Sequence, residues 1–256
     1  MPAISAAIIT LNEAAHLADA IASLSWADEI IVVDSGSTDG TVEIARRLAT
    51  RVEHRDWTGY ASQKNYAASI ARHDWVLSLD ADERVSEPLA AWLIAWRQSS
   101  AAVRGYRLPR ASWYLGRWIR ATDWYPDPQL RLYDRRAGHW AASRVHESVA
   151  LDGEVETLGG DLEILHYPYA DVGEHARRID AYTSLAALDM RDRGVTVGPT
   201  GLLVHPVAAF LRNYILRGGF RAGRAGLAVS LLNSYYVLLK HVKLLELQEA
   251  GRATGA

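Results

Sequence analysis

Residues 75–83, WVLSLDADE, decide the fold: a short, mostly apolar run passes straight into Asp80, Asp82 and Glu83. A strand with one wet face alternates apolar and polar residues. This one does not, so it reads as a strand covered on both faces. Its end poses a problem, because like charges so close repel and each costs free energy to desolvate. Two arrangements tolerate that. Either a cation sits among the carboxylates, or DADE is a solvated turn capping the next helix, whose N-terminus favours acids.

The same pattern recurs upstream. ISAAIIT (4–10) is a short apolar run that stops at Leu11-Asn12-Glu13, and EIIVV (29–33) ends at Asp34 in the polar loop DSGSTDG. Helical spacing follows each, with Leu17, Ile21 and Leu24 on one face, then Val42, Ala45 and Leu48. Residues 51–54 read as a short third strand, and 60–72 as a helix. Pro88 sits in the first turn of a further helix, where its missing N–H does no harm. Strand and helix thus alternate four times, which predicts an α/β fold with a mostly parallel sheet and helices on both faces. Ligands bind beyond the carboxyl ends of such strands. Here those ends carry three polar loops: Thr10–Glu13, Asp34–Gly40 and Asp80–Glu83.

The chain has 256 residues, 49% of them hydrophobic and 23% charged, enough for one large domain or a domain with an appendage. A net charge near −2 excludes the basic field of a nucleic-acid binder, and the absence of cysteine excludes disulfide or thiol chemistry. The start, MPAISAAIIT, lacks a basic n-region and reads as a first strand. No apolar run reaches the length of a transmembrane helix, so a cytoplasmic protein is expected. Neither GxGxxG nor GxxxxGK[ST] occurs, which argues against a dinucleotide site or a P-loop.

From about residue 104 the texture changes. GYRLPR and QLRLYDRR read as strands joined by the aromatic-rich WYLGRWIRATDWYPD (113–127), and RVHESVAL as another strand. Residues 171–193 form a polar amphipathic helix, and 203–245 a more apolar helical region broken at Gly218-Gly219. The expected division is a catalytic domain over 1–168 and a helical region over 169–256. Asp80 and Asp82 form a D-x-D at a strand end, whose hard oxygens suit Mg²⁺ or Mn²⁺ bridging a diphosphate. Arg131 and Arg135 have the guanidinium fork that clamps phosphate, or else form an exposed strand face. The aromatics of 113–125 either stack on a sugar or pack a core.

IITLNEAAHLADAIASL, EIIVVDSGSTDGTVEIA and QKNYAASIARHDWVLSLDADE resemble the successive blocks of glycosyltransferase family 2, of the GT-A fold. The resemblance covers roughly residues 3–150, in order. WYPDPQLRLYDRR and RVHESV resemble a narrower branch, the bacterial lipopolysaccharide core β-1,4-glucosyltransferases. It implies that Thr10, Asn12 and Glu13 line a nucleotide pocket and that Asp34 contacts base or ribose. Lys64 and Asn65 would pack against the nucleotide, with Lys64 near a phosphate. Asp80 would lie by ribose and metal, and Asp82 would be the principal ligand of a divalent cation. The family's acidic base matches Glu147, although His146-Glu147 stands where a Glu-Asp pair is usual; Asp127 is the rival. His146 would complete the metal shell, orient Glu147, or serve as a structural histidine.

Residues 205–245 contain six Lys or Arg and no acid, among Leu, Val, Phe and Tyr. Such a segment suits the interface of an anionic membrane, or packs on the domain or on a second subunit in a homo-oligomer. The expected function is inverting, metal-dependent transfer of a hexose, glucose from UDP-glucose, to a glycolipid or lipopolysaccharide core hydroxyl at the inner face of the cytoplasmic membrane. The alternatives are a polyprenyl-phosphate glycosyltransferase and a non-catalytic, membrane-associated nucleotide-binding protein.

Overall fold

The computed structural model describes residues 2–99, 102–141 and 147–254. The chain forms two compact units, Met1–Ala111 with Asp127–Tyr167, and Ser112–Pro126 with Pro168–Ala256. The aromatic segment 112–126 therefore groups with the C-terminal helices, across the simple division at residue 168.

In the first unit β1 (Ile4–Thr10), β2 (Glu29–Asp34), β3 (Arg51–His54) and β4 (Trp75–Asp80) are parallel, in the spatial order β4-β1-β2-β3. Helices α1 (Leu17–Ala22), α2 (Thr41–Leu48) and α3 (Tyr60–Ser69) connect them. The side-chain period of two explains why these strands read as apolar throughout. Ile4, Ala6 and Ile8 enter one core with Leu17, Leu24 and Ala45, while Ala7 and Ile9 enter another with Ala61 and Ala67. Each fully buried Leu or Ile contributes roughly 2 kcal/mol over leaving it exposed.

Beyond β4 the sheet changes direction. β9 (Gln129–Asp134) runs antiparallel to β4 and to β6 (Gly105–Leu108), and β12 (Val155–Thr157) lies parallel to β6. After β4 the chain forms β5 (Glu83–Val85) and α4 (Glu87–Trp96). The cap of α4 is Ser86, whose Oγ accepts from the N–H of Leu89 at 3.3 Å. A strand separates DADE from that helix, so its carboxylates are not a helix cap.

In the second unit β7 (Arg110–Tyr114), which starts in the first, turns at Leu115-Gly116 into β8 (Arg117–Ile119). Both turn residues have positive φ, 48° and 79°, as a tight two-residue hairpin requires. The helices are α5 (Val172–Asp192), α6 (Pro199–Leu211) and α7 (Gly223–Thr254), with a π-helical turn at Arg212–Leu216. Buried Asn213 in that turn accepts from Asp123 N and Asn233 Nδ2 and donates to Asp123 Oδ2 and Ala209 O. One amide thus ties the aromatic segment to two helices.

Tyr114, Trp124, Tyr169 and His175 pack ring against ring, Tyr169 and His175 stacked at 4.2 Å. Burial, aided by the charge of Arg178, pushes His175 down to about 4. The unfolded chain takes up a proton near the ordinary value of about 6.5, which the folded one declines. Stability is therefore expected to fall as pH drops through this window, by at most about 3 kcal/mol at 1.36 kcal/mol per unit. Urea unfolding of wild type and His175→Gln between those two pH values checks this, with a flatter profile expected for the variant.

Candidate active site

Sheet register places the three rim loops side by side. Thr10 is opposite Asp34, and Ile9 is opposite Asp80. Thr10 is buried, and its Oγ1 has no hydrogen-bond partner. Asn12 adopts a left-handed φ of 56°, which asparagine tolerates, and its Oδ1 accepts from Thr38 N at 2.8 Å. The N–H groups of Asn12 and Glu13 donate to Ser37 Oγ and Thr41 Oγ1, both at 2.8 Å. Asp34 is buried and spends its carboxylate on its own loop, accepting from Gly36 N, Ser37 N and Ser37 Oγ. Its immediate effect is to fix the conformation of that loop.

The carboxylates of DADE have found cations within the protein. Asp80 Oδ1 lies 3.0 Å from Lys64 Nζ and Asp80 Oδ2 2.9 Å from Arg131 Nη2. Glu83, fully buried, meets Arg131 at 2.8 Å and Arg110 at 2.9 Å, and its Oε2 accepts from Asp80 N. Arg110 continues to Asp127, with contacts of 3.0 Å and 2.6 Å. Lys64 Nζ also donates to Glu147 Oε1 at 3.0 Å. Four carboxylates thus alternate with three cations. Burial opposes the charge on Asp80 most strongly, but Lys64 and Arg131 outweigh it and hold the carboxyl far below the ordinary range. Burial likewise disfavours charge on Arg131 and Arg110, and the facing carboxylates override it, raising both.

Lys64 is one of the most deeply buried cations, with 2% of its side chain exposed. It is not a solvated surface charge. Asn65 shows why it lies there: its amide donates to Trp140 O and accepts from Trp140 N, both at 2.8 Å. That clasp holds α3 against β10 (Gly138–Ala141), which pairs with β11 (Ser148–Leu151). The Trp140 ring then covers Lys64 Nζ at 4.4 Å, a cation–π contact. Asn65 serves this clasp.

Arg131, at 3% exposure, is an internal counter-ion for Asp80 and Glu83, which corrects the expectation that it clamps phosphate. Arg135 is also corrected. Antiparallel β9 pairs Asp134 with Trp75, so Arg135 emerges at the opposite rim, where its Nε donates to His73 O. Of the two candidate bases, Asp127 accepts three hydrogen bonds, two from Arg110 on Oδ2 and one from Gln129 Nε2 on Oδ1 at 2.7 Å. Glu147 is partly exposed and holds a single lysine. His146 lies outside the described residues.

Asp82 differs from its neighbours: the ion pair it makes is with His166, Oδ2 to Nε2 at 3.4 Å. His166 ends β13 (Ile164–His166), which pairs antiparallel with β5 so that His166 faces Glu83. Tyr167 N donates to Asp82 O at 2.9 Å, fixing the loop. An imidazole and a carboxylate oxygen at that separation can share one divalent cation, and the imidazole suits a transition metal such as Mn²⁺ better than Mg²⁺, which takes oxygen ligands. Asp80, expected as a second ligand, is instead engaged by Lys64 and Arg131. Among the described residues no cluster of three or more His, Cys, Asp or Glu forms a ready cation cage. Sequence reading missed His166 and Arg110; the His directly after the apolar pair Ile164-Leu165 was the available signal.

The family described as "Glycosyl transferase family 2" matches residues 5–146. The lipopolysaccharide core biosynthesis glycosyltransferase LpsC of Rhizobium meliloti is 30% identical over 247 residues, covering 94% of this chain and 91% of LpsC. An uncharacterized glycosyltransferase of Rickettsia typhi is 31% identical, covering 98% and 90%. Among solved structures, the mannosyltransferase PcManGT from Pyrobaculum calidifontis, in complex with GDP-Man and Mn²⁺, aligns with a TM-score of 0.55 at 19% identity. That alignment covers 95% of this chain and 87% of PcManGT. TarS 1–349 of S. aureus, with UDP-GlcNAc, aligns at 0.52 and 13% identity, covering 98% and 92%. These last two show likeness of fold.

Proposed function

The chain belongs to glycosyltransferase family 2, with the GT-A fold, and on that premise we propose that it moves glucose from UDP-glucose, with inversion, to a sugar hydroxyl of a lipopolysaccharide core or similar glycolipid. One observation carries this reading: buried Lys64 holds Asp80 on one side and Glu147 on the other, beside Asp82 and His166. The acceptor class is supported by the similarity to LpsC along nearly the whole of both chains.

In this reading the nucleoside lies against Thr10 and the stitched loops of Asn12, Glu13 and Asp34. Glu147 takes the proton of the acceptor hydroxyl as that oxygen attacks the anomeric carbon, while the bond from that carbon to the diphosphate breaks. Lys64 orients Glu147 and places positive charge near the leaving diphosphate. A divalent cation bound by Asp82 and His166 would supply further electrostatic stabilisation of that leaving group. Asp80, itself held by Arg131 and linked through it to Glu83 and Arg110, fixes Lys64 in place, so that little reorganisation accompanies the reaction. No helix among the described residues is long and apolar enough to cross a membrane.

Turnover of a panel of nucleotide sugars on a lipid-linked core oligosaccharide tests the proposal. UDP-glucose is expected to be the preferred donor. Preference for another sugar would correct the donor, and no turnover with any would contradict the transferase chemistry assigned to these residues.

A further inference from the structure

The second unit carries a surface that the chemistry above does not use. On α6, Leu203, Val204, Val207 and Leu211 recur at helical spacing and all are exposed, Leu203 by 74%. The face continues past the helix end into Leu216, 80% exposed, and Phe220. The rings of Phe210, Tyr214 and Phe220 connect these parts, stacked at 5.4 Å and edge-on at 6.4 Å. Exposing so many large aliphatic side chains in one stretch is costly in water.

The charges that this segment itself carries are of one sign. Residues 193–245 contain no Asp or Glu. Arg212, Arg217, Arg221 and Arg224 are all exposed. Arg212 and Arg217 share one carboxylate, that of Asp123, so the rim keeps a net positive charge. The apolar face is too short to span a bilayer, and no helix among the described residues is long and apolar enough to do so. Apolar side chains beside arginines instead match an interface with hydrocarbon below and anionic headgroups around it.

We propose that this α6–π-turn face docks the protein in plane on an anionic lipid bilayer, with Leu203, Leu216 and Phe220 inserted and Arg221 and Arg224 on lipid phosphates. The proposal deepens the reading of a glycolipid acceptor and rests on it for its purpose. Docking itself needs neither donor nor acceptor. A face built for a second copy of the chain would not carry unopposed positive charge along its edge, because each copy would repel the other.

Co-sedimentation of the full chain with phosphatidylcholine vesicles, with and without a third of phosphatidylglycerol, tests it. Binding is expected to the anionic vesicles, weakening as salt rises. Arg221→Ala with Arg224→Ala should lower partitioning tenfold or more, about fivefold for each arginine. Leu203→Ser with Leu216→Ser and Phe220→Ser should do at least as much, with circular dichroism and thermal unfolding unchanged. Absence of vesicle binding by wild type, equal binding to neutral vesicles, or variants binding like wild type would overturn it. So would a dimer broken by these substitutions in the absence of lipid binding. Nucleotide binding measured on the same protein separates the outcomes: docking with no donor binding would sink the transferase reading and leave the docking face standing.

Discussion

Glu147→Gln is expected to lower kcat by a factor of about 10² to 10⁴, the usual contribution of a positioned general base. That is roughly 3–5 kcal/mol of barrier at 1.36 kcal/mol per decade. Glutamine keeps the shape and can still accept the hydrogen bond that Lys64 Nζ donates to Glu147 Oε1. The donor's KM should therefore change little, and thermal unfolding should match wild type. Single-turnover measurement at saturating donor isolates the chemical step. A near-normal rate would indicate an acceptor that arrives already ionised, such as a polyprenyl phosphate, for which a base is dispensable. Asp127→Asn serves as the control: because the Arg110 fork and Gln129 occupy that carboxylate, its substitution should cost stability before it costs chemistry.

Arg131→Met is expected to destabilise the first unit by about 3–5 kcal/mol, since removing one partner of a buried pair leaves uncompensated charge. Two carboxylates are affected, Asp80 and fully buried Glu83, and Glu83 keeps only Arg110. At roughly 2–4 °C per kcal/mol for a chain of this size, unfolding should begin about 10 °C lower. Arg131→Lys should recover only part of the loss: Nη2 alone reaches both acids, and the shorter lysine cannot carry its ammonium to that position. Adding Asp80→Asn to Arg131→Met should recover more stability than either single change predicts, as the two residues share one interaction. The pH dependence has a definite sign. Asp80 is held below its ordinary value, so its contribution is complete above about pH 4 and is lost only as pH falls further. Calorimetric melts of the four proteins above that pH measure the coupling; additive effects would contradict the cluster described here.

Much of this was legible in the sequence. The run WVLSL, without a polar alternation, announced a strand covered on both faces, and β4 sends Trp75, Leu77 and Leu79 into one core and Val76 into the other. The rim loops were legible for the same reason, because polar residues accumulate where apolar strands stop. What was not legible depends on pairing distant in sequence. His166 meets Asp82 only because β13 lies against β5. Lys64 lies under Trp140 only because Asn65 clasps a backbone 75 residues away. Arg135 and Arg131 are equivalent in an alternating strand, and only the antiparallel direction of β9 sends one to the site and the other to the far rim. The aromatic segment 112–126 joins the C-terminal helices through buried Asn213, an amide with no distinguishing neighbourhood in sequence.

The carboxylates of LSLDADE are thus divided in role. Asp80 and Glu83 are neutralised from within, whereas Asp82 pairs with His166, the pair proposed above to hold a divalent cation. Calorimetric titration of UDP into wild type, Asp82→Ala and His166→Ala, with and without Mn²⁺, tests this most directly. The account predicts that Mn²⁺ strengthens UDP binding to wild type by at least about tenfold, and that either substitution abolishes the metal effect while leaving the weaker metal-free binding intact. Equal binding with and without Mn²⁺, or variants that respond to the metal as wild type does, would contradict it.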